Sequence, residues 1–261
     1  MRIAAKRLLA VTCVVVMLLS IFALTTLRIS VWRFQRNAEQ LFSRVAALEI
    51  DKTTIEDVQA LAKLYGPEVG SQGEKCDTSE CKYDISLLNF PYRHRLDWKF
   101  LRALGIRPAA VLAQITVANG KATGTLFQVF YRSRTGDWLR VNIEAKEAFS
   151  HRDECIHFSL QRHPGYVVSL AFLTGGMFGV SVDSEFTPLA RQTDRARIQA
   201  INWSCLTRLD SCEGPTPYES RAALSFVPAP YAQYLSDRAW EEENPEKERQ
   251  LERSCGLPPW K

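Results

Sequence analysis

Histidine is scarce, with only four in 261 residues: His94, His151, His157 and His163. No HExxH and no CxxCH occurs, so neither a helical zinc site nor covalent haem attachment is indicated. A GxSxG elbow and a GxxxxGK[ST] loop are also missing, which removes the usual signals for a serine hydrolase and for nucleotide binding. No cofactor is expected. Net charge is low as well. The formal value is +4, and Arg2, Lys6 and Arg7 stand before the first long apolar run, so the remainder carries +1. A near-neutral body argues against electrostatic binding of nucleic acid. There is no internal repeat and no low-complexity linker. The 46% hydrophobic and 24% charged content is that of a globular chain, and the length allows one large domain or two small ones.

Charge is missing altogether from Leu8 to Leu27, LLAVTCVVVMLLSIFALTTL, a run of 20 residues. About 20 apolar residues in a helix cross a hydrocarbon core of about 30 Å. A cleaved signal peptide has a shorter apolar core and a small-x-small exit. Ile21-Phe22-Ala23 is a poor version of that exit, and Thr12 before Cys13 is a poor lipobox. An uncleaved signal anchor is therefore the favoured reading, with membrane lipid as its partner. Arg2, Lys6 and Arg7 favour a cytoplasmic N-terminus, whereas Arg28, Arg33 and Arg36 oppose it.

The cysteines bear on that tie. Cys13 lies in the apolar run and six remain outside it: Cys76, Cys81, Cys155, Cys205, Cys212 and Cys255. An even number beyond a membrane segment suits an oxidising compartment. Cys76 with Cys81 and Cys205 with Cys212 are the local pairs, each worth roughly 2 kcal/mol in the chain-entropy account. Cys155 with Cys255 follows by elimination. Cys76-x4-Cys81 sits at the wide limit of zinc spacing and Cys205-x6-Cys212 lies beyond it, so disulfides are favoured over a metal. Six bridged cysteines would place the body outside the cytoplasm.

Beyond the apolar run, Val31, Phe34, Leu41, Phe42, Val45 and Leu48 recur near a 3.6 period. The spacing predicts a helix over 29–50, either a stalk continuing the anchor or an amphipathic helix packed on the domain. Trp32 and Arg33 occupy the place of an interface anchor. Thr53 and Glu56 form a predicted capping box for a helix with the stripe Ile55, Val58, Leu61, Ala62 and Tyr65, ended by Gly66-Pro67. The period then falls to two. Strands are predicted at Lys82–Leu88, at Ala109–Ala118 and Lys121–Arg132 around an Asn119-Gly120 turn, near Leu139–Glu144, and at Tyr166–Leu173 and Phe178–Phe186. Helical, irregular chain follows from about 189, with one helix near Tyr231–Glu243. The fold class is α+β, an N-terminal transmembrane helix followed by an antiparallel sheet of five to seven strands with flanking helices. The expected organisation is a cytoplasmic tail 1–7, an anchor 8–27, a helical stalk 28–50 and an extracytoplasmic domain 51–261.

Few residues point to chemistry. His151, Cys155 and His157 would share one face of a strand and are the metal-ligand candidates, with surface roles favoured. Asp183 and Glu185 share a strand face, where exposed polar alternation explains them better than an acid–base pair. Phe127, Phe130, Tyr131, Tyr166, Phe172, Phe178 and Phe186 read mostly as core.

The segment Asn202 to Cys212, NWSCLTRLDSC, resembles a cysteine-bounded signature of uncharacterised membrane-anchored bacterial proteins, where it also follows a β-rich region. That resemblance implies an envelope location and no activity. Thr53-Thr-Ile-Glu-Asp-Val58 through Gly66-Pro67 resembles the opening helix of small envelope lipoproteins that assemble outer-membrane proteins, a likeness confined to a local helix signal. The expected role is binding or envelope assembly with a protein partner. The alternative is an anchored hydrolase or metal-dependent enzyme.

Overall fold

The computed structural model describes residues 2–65, 73–76, 80–133, 136, 138–148, 165–173, 179–209 and 226–246. Its first element is one unbroken helix, α1, Arg2–Ala46. The charge-free run and the amphipathic stretch predicted after it are therefore one rod, about 68 Å long at 1.5 Å per residue. The two halves meet different surroundings. From Leu9 to Phe22 the side chains are exposed, Leu18 at 61% and Phe22 at 72%. From Val31 to Val45 the inward stripe Val31, Phe34, Ala38, Leu41, Phe42 and Val45 is buried. The second half continues the same helix and is packed on the domain. A 3.6-residue period cannot say what an apolar stripe faces, and here it faces the sheet.

A short turn leads to α2, Ile55–Tyr65. Its cap lies one residue beyond the predicted one. The Thr54 hydroxyl and the Asp57 carboxylate are 3.0 Å apart, and the Asp57 amide points back at the Thr54 oxygen at 3.4 Å. Thr53 instead accepts from the Glu49 amide at 2.9 Å. Val58 and Leu61 enter the core, flanked by Ile55, Ala62 and Tyr65.

Among the described residues seven strands make one sheet: β1 Gly73–Cys76, β2 Glu80–Leu88, β3 Ala109–Ala118, β4 Lys121–Arg132, β5 Trp138–Lys146, β6 Tyr166–Leu173 and β7 Gly179–Phe186, in the order β1-β2-β3-β4-β5-β7-β6. The β3–β4 hairpin has the predicted limits, and Asn119 and Gly120 both take positive φ, 52° and 78°. That twist matches the right-handed twist of the strands it joins. The sheet is not wholly antiparallel, because β5 and β7 run parallel. The long connection after β5 carries the chain past one strand position, so the β6–β7 hairpin docks by its second strand.

Alternation divides the sheet into two faces. Ile85, Val111, Ala113, Ile115, Phe127, Val129, Val141 and Val182 face α1 and α2 in the core. Phe42, Phe127, Trp203 and Phe226 form its centre, with ring centroids 4.8–6.3 Å apart. Trp203 belongs to a 3-10 turn, Trp203–Leu206, which follows α5, Gln192–Ile198. The last described helix, α6, spans Pro228–Glu243. It begins three residues before the predicted start, since Pro228 and Pro230 occupy its first turn, where proline displaces no helical hydrogen bond.

The division of α1 is directly measurable. Leu41→Ala should cost about 2–5 kcal/mol, as other buried leucine truncations do. Leu18→Ala, in the exposed half, should stay within about 0.5 kcal/mol. Denaturant unfolding of the full chain in a mild detergent compares the two. Equal effects would contradict the burial described.

Candidate helix-junction site and outward sheet face

Between β2 and β3 the chain makes an excursion that contains two short helices, α3, Phe90–Arg93, and α4, Lys99–Ala103. Asn89, 2% exposed, fastens both ends of it. Its side-chain oxygen accepts from the amides of Tyr92 at 2.9 Å and Ala109 at 3.0 Å, while its nitrogen donates to the Arg107 carbonyl at 2.6 Å. α4 ends in a Schellman motif. The Ile106 amide bonds the Leu101 carbonyl at 2.9 Å and the Gly105 amide bonds the Arg102 carbonyl at 3.0 Å. Gly105 takes φ +70° there, as the motif requires.

Two arginines tie this excursion to the rest of the fold. Arg28 of α1 donates to the Thr207 carbonyl at 2.6 Å and to the Gly105 carbonyl at 3.2 Å. Fully buried Arg107 donates to the Arg102, Cys205 and Leu209 carbonyls and to the Tyr131 hydroxyl at 2.9–3.4 Å. Leu24, Leu27 and Val31 of α1 pack with Leu96, Leu101 and Ile106 in a small second core. The end of the charge-free run is therefore clamped to the domain. Sequence reading missed this site. Asn89 before a proline-containing turn, and Gly105 after an apolar residue, were its local signals. Arg28 read as a topological charge, and only the fold reveals its carbonyl partners.

On the outward sheet face, a row of hydrogen bonds crosses three strands. Gln128 donates to the Asn142 oxygen at 3.0 Å, Asn142 donates to Asp183, Ser181 bonds both Asp183 oxygens at 3.1 Å, and the Arg140 Nε donates to Ser181 at 2.9 Å. Asp183 and Glu185 do share this face, as alternation predicts. They do not face one another as acid and base, since Glu185 pairs with Lys146 at 2.8 Å. Gln114 similarly donates to Asp84 at 2.8 Å.

Of the aromatic candidates, Phe127, Tyr131, Tyr166 and Phe186 are core, while Phe130 lies half-buried on the outward face. The side chain of Phe172 and residue Phe178 lie outside the described residues, as do His151, Cys155, His157, Cys212 and Cys255. Among the described residues no group of three metal-ligating side chains gathers. Cys13 is an exposed free thiol, whereas Cys81 and Cys205 are disulfide-bonded. Cys76 stands directly opposite Cys81 in the β1–β2 register.

A cleft of about 620 Å³ opens between the end of α1 and α5, lined by Leu48, Glu49, Lys52, Gln192, Arg195 and Gln199. Its charges are already engaged. The Lys52 ammonium, hydrogen-bonded to Glu49 at 2.5 Å, holds that carboxyl below the usual carboxylate range. Arg195 donates to the carbonyls of Thr187 and Ala190. The chain matches no protein-family model, no curated protein and no solved structure.

Two outcomes follow from these contacts. Gly105→Ala places a methyl carbon 2.8 Å from the Thr207 carbonyl oxygen and against the Arg28 guanidinium. Together with the positive φ, this should cost about 2 kcal/mol or more in denaturant unfolding. An unchanged midpoint would mean that the clamp is not close-packed. Burial raises the Tyr166 phenol above the usual 10.0, with nearby Arg197 opposing. The folded state thus keeps the proton longer than the unfolded chain. That contribution is complete below about pH 10 and is lost as pH rises through the raised folded value. Tyr166→Phe should flatten the alkaline loss of stability measured from pH 9 to 11, and identical slopes would contradict the assignment.

Proposed function

We propose that the chain is a single-pass membrane protein whose extracytoplasmic, disulfide-stapled domain works by binding or assembling with other envelope components. The observation that carries the reading is the helix α1. Its residues 9–27 are apolar and almost wholly exposed, and the same rod continues into the core. Among the described residues it is the one helix long and apolar enough to cross a membrane. Exposed apolar surface of that extent is costly in water and favourable in lipid.

The sidedness follows from sulfur chemistry. Bridged cysteines belong to oxidising compartments, and Cys81 and Cys205 are bridged. The pairing we favour is Cys76–Cys81, Cys205–Cys212 and Cys155–Cys255. The first has its backbone positions directly opposite one another. The binding role draws on the outward sheet face. Its carboxylates are occupied by carboxamide, hydroxyl and ammonium partners, which leaves a fixed polar relief beside Leu112, Leu126 and Phe130. A surface of that kind suits recognition of a protein partner.

A thiol count on the denatured, unreduced protein from native membranes tests the compartment. One reactive thiol, Cys13, is the expected result, with six released only by reductant. Seven thiols reactive without reductant would place the domain in a reducing compartment and end the reading. Recovery in the soluble fraction at full length would end the anchor with it.

A further inference from the structure

We propose that the excursion from Phe90 to Leu104 is a membrane-interface collar, an aromatic and cationic surface that rests on the headgroups of an anionic bilayer where α1 leaves it. This rests on reading α1 as a membrane span. The placement follows from length. The charge-free run of 20 residues rises about 30 Å, the whole thickness of a hydrocarbon core. Leu24 and Leu27 occupy its last turn, and Leu96, Leu101 and Ile106 pack directly on them and on Val31. Whatever is held against that turn lies at the boundary between hydrocarbon and headgroups.

The chemistry of the exposed side fits that boundary. Trp98 and Phe100 are 57% and 55% exposed and stack on each other at 5.7 Å. Phe90, Tyr92 and Leu104 are exposed beside them. On α1, at the same level, Trp32 is half exposed beneath the Arg36 guanidinium, 3.9 Å from its ring centre. Aromatic side chains gather where one end of the ring meets lipid and the other meets water. The exposed charges among them are Arg93, Arg95 and Lys99. The one carboxylate of the excursion, Asp97, is engaged by Arg102 at 2.6 Å and Arg132 at 3.1 Å. Cations at this height attract anionic headgroups. The clamps at Asn89, Arg28 and Arg107 keep the surface in a fixed position relative to the helix, so the domain would sit in one orientation on the bilayer.

Depth-dependent quenching tests this on the full chain. In a Cys13→Ser background, Met17→Cys, Phe100→Cys and Leu189→Cys each carry an environment-sensitive fluorophore. The protein is reconstituted into phosphatidylcholine vesicles with increasing phosphatidylglycerol. Nitroxide lipids then quench from a shallow or a deep position. The expected result is deep quenching at 17, shallow quenching at 100 and none at 189, a site exposed at 79%. Quenching at 100 should increase with phosphatidylglycerol and lose that dependence in the Arg93→Gln, Arg95→Gln, Lys99→Gln triple variant. If 17 is quenched and 100 behaves like 189, the anchor stands and the collar is wrong. Shallow quenching at 100 that ignores both phosphatidylglycerol and the triple substitution would overturn the anionic recognition. If 17 escapes quenching, the span itself fails and the collar fails with it.

Discussion

Between Leu24 and Val31, helix α1 passes from an exposed apolar stretch to one that buries its whole inward stripe. Its backbone hydrogen bonding does not break there. The rest of the architecture depends on that continuity. Phe34 to Val45 supply one wall of the core, the sheet supplies the other, and Phe42 meets Phe127 and Trp203 near its centre. Removing the inner half of the helix would open the apolar face of β2 to β4 to water. A domain built this way cannot pivot freely about the exposed half of α1, because that half continues directly into one of its core helices.

The second constraint is how the junction is sealed. Arg28 would be an awkward residue at the end of an apolar run if its guanidinium had no acceptors. It reaches carbonyls of two separate turns, one from the β2–β3 excursion and one after the 3-10 turn. Arg107 joins the same two regions from within. Charge-assisted bonds to carbonyls contribute more than neutral ones, and losing a buried partner costs more still. The junction is thus held by directional bonds where the helix has little protein around it for packing.

Much of the sheet was legible from residues alone. Asn119-Gly120 set the β3–β4 turn, since both positions need positive φ, and the period of two placed strands near Leu139–Glu144 and at Phe178–Phe186. The capping box of α2 slipped by one residue because Thr53 and Thr54 offer the same hydroxyl, and only the fold chooses between them. The parallel β5–β7 pair left no local mark, for strand order is decided by the connection and not by the strands. The excursion at 90–104 was illegible for a related reason. Its two helices are too short to have periodicity, and they persist through Asn89, Arg28 and Arg107, whose partners are up to 179 residues away. The Asp183 and Glu185 alternation was read correctly as a polar sheet face, while its hydrogen-bonded continuity across β4, β5 and β7 needed the register.

Native-state hydrogen exchange of the full chain in lipid nanodiscs tests the central claim most directly. If α1 is both anchor and core, amides from Val31 to Val45 should open with the same free energy as those in the middle of β3 and β4, in one cooperative unit. Exchange of that stretch at markedly lower free energy, independent of the sheet, would show a helix that merely lies against the domain.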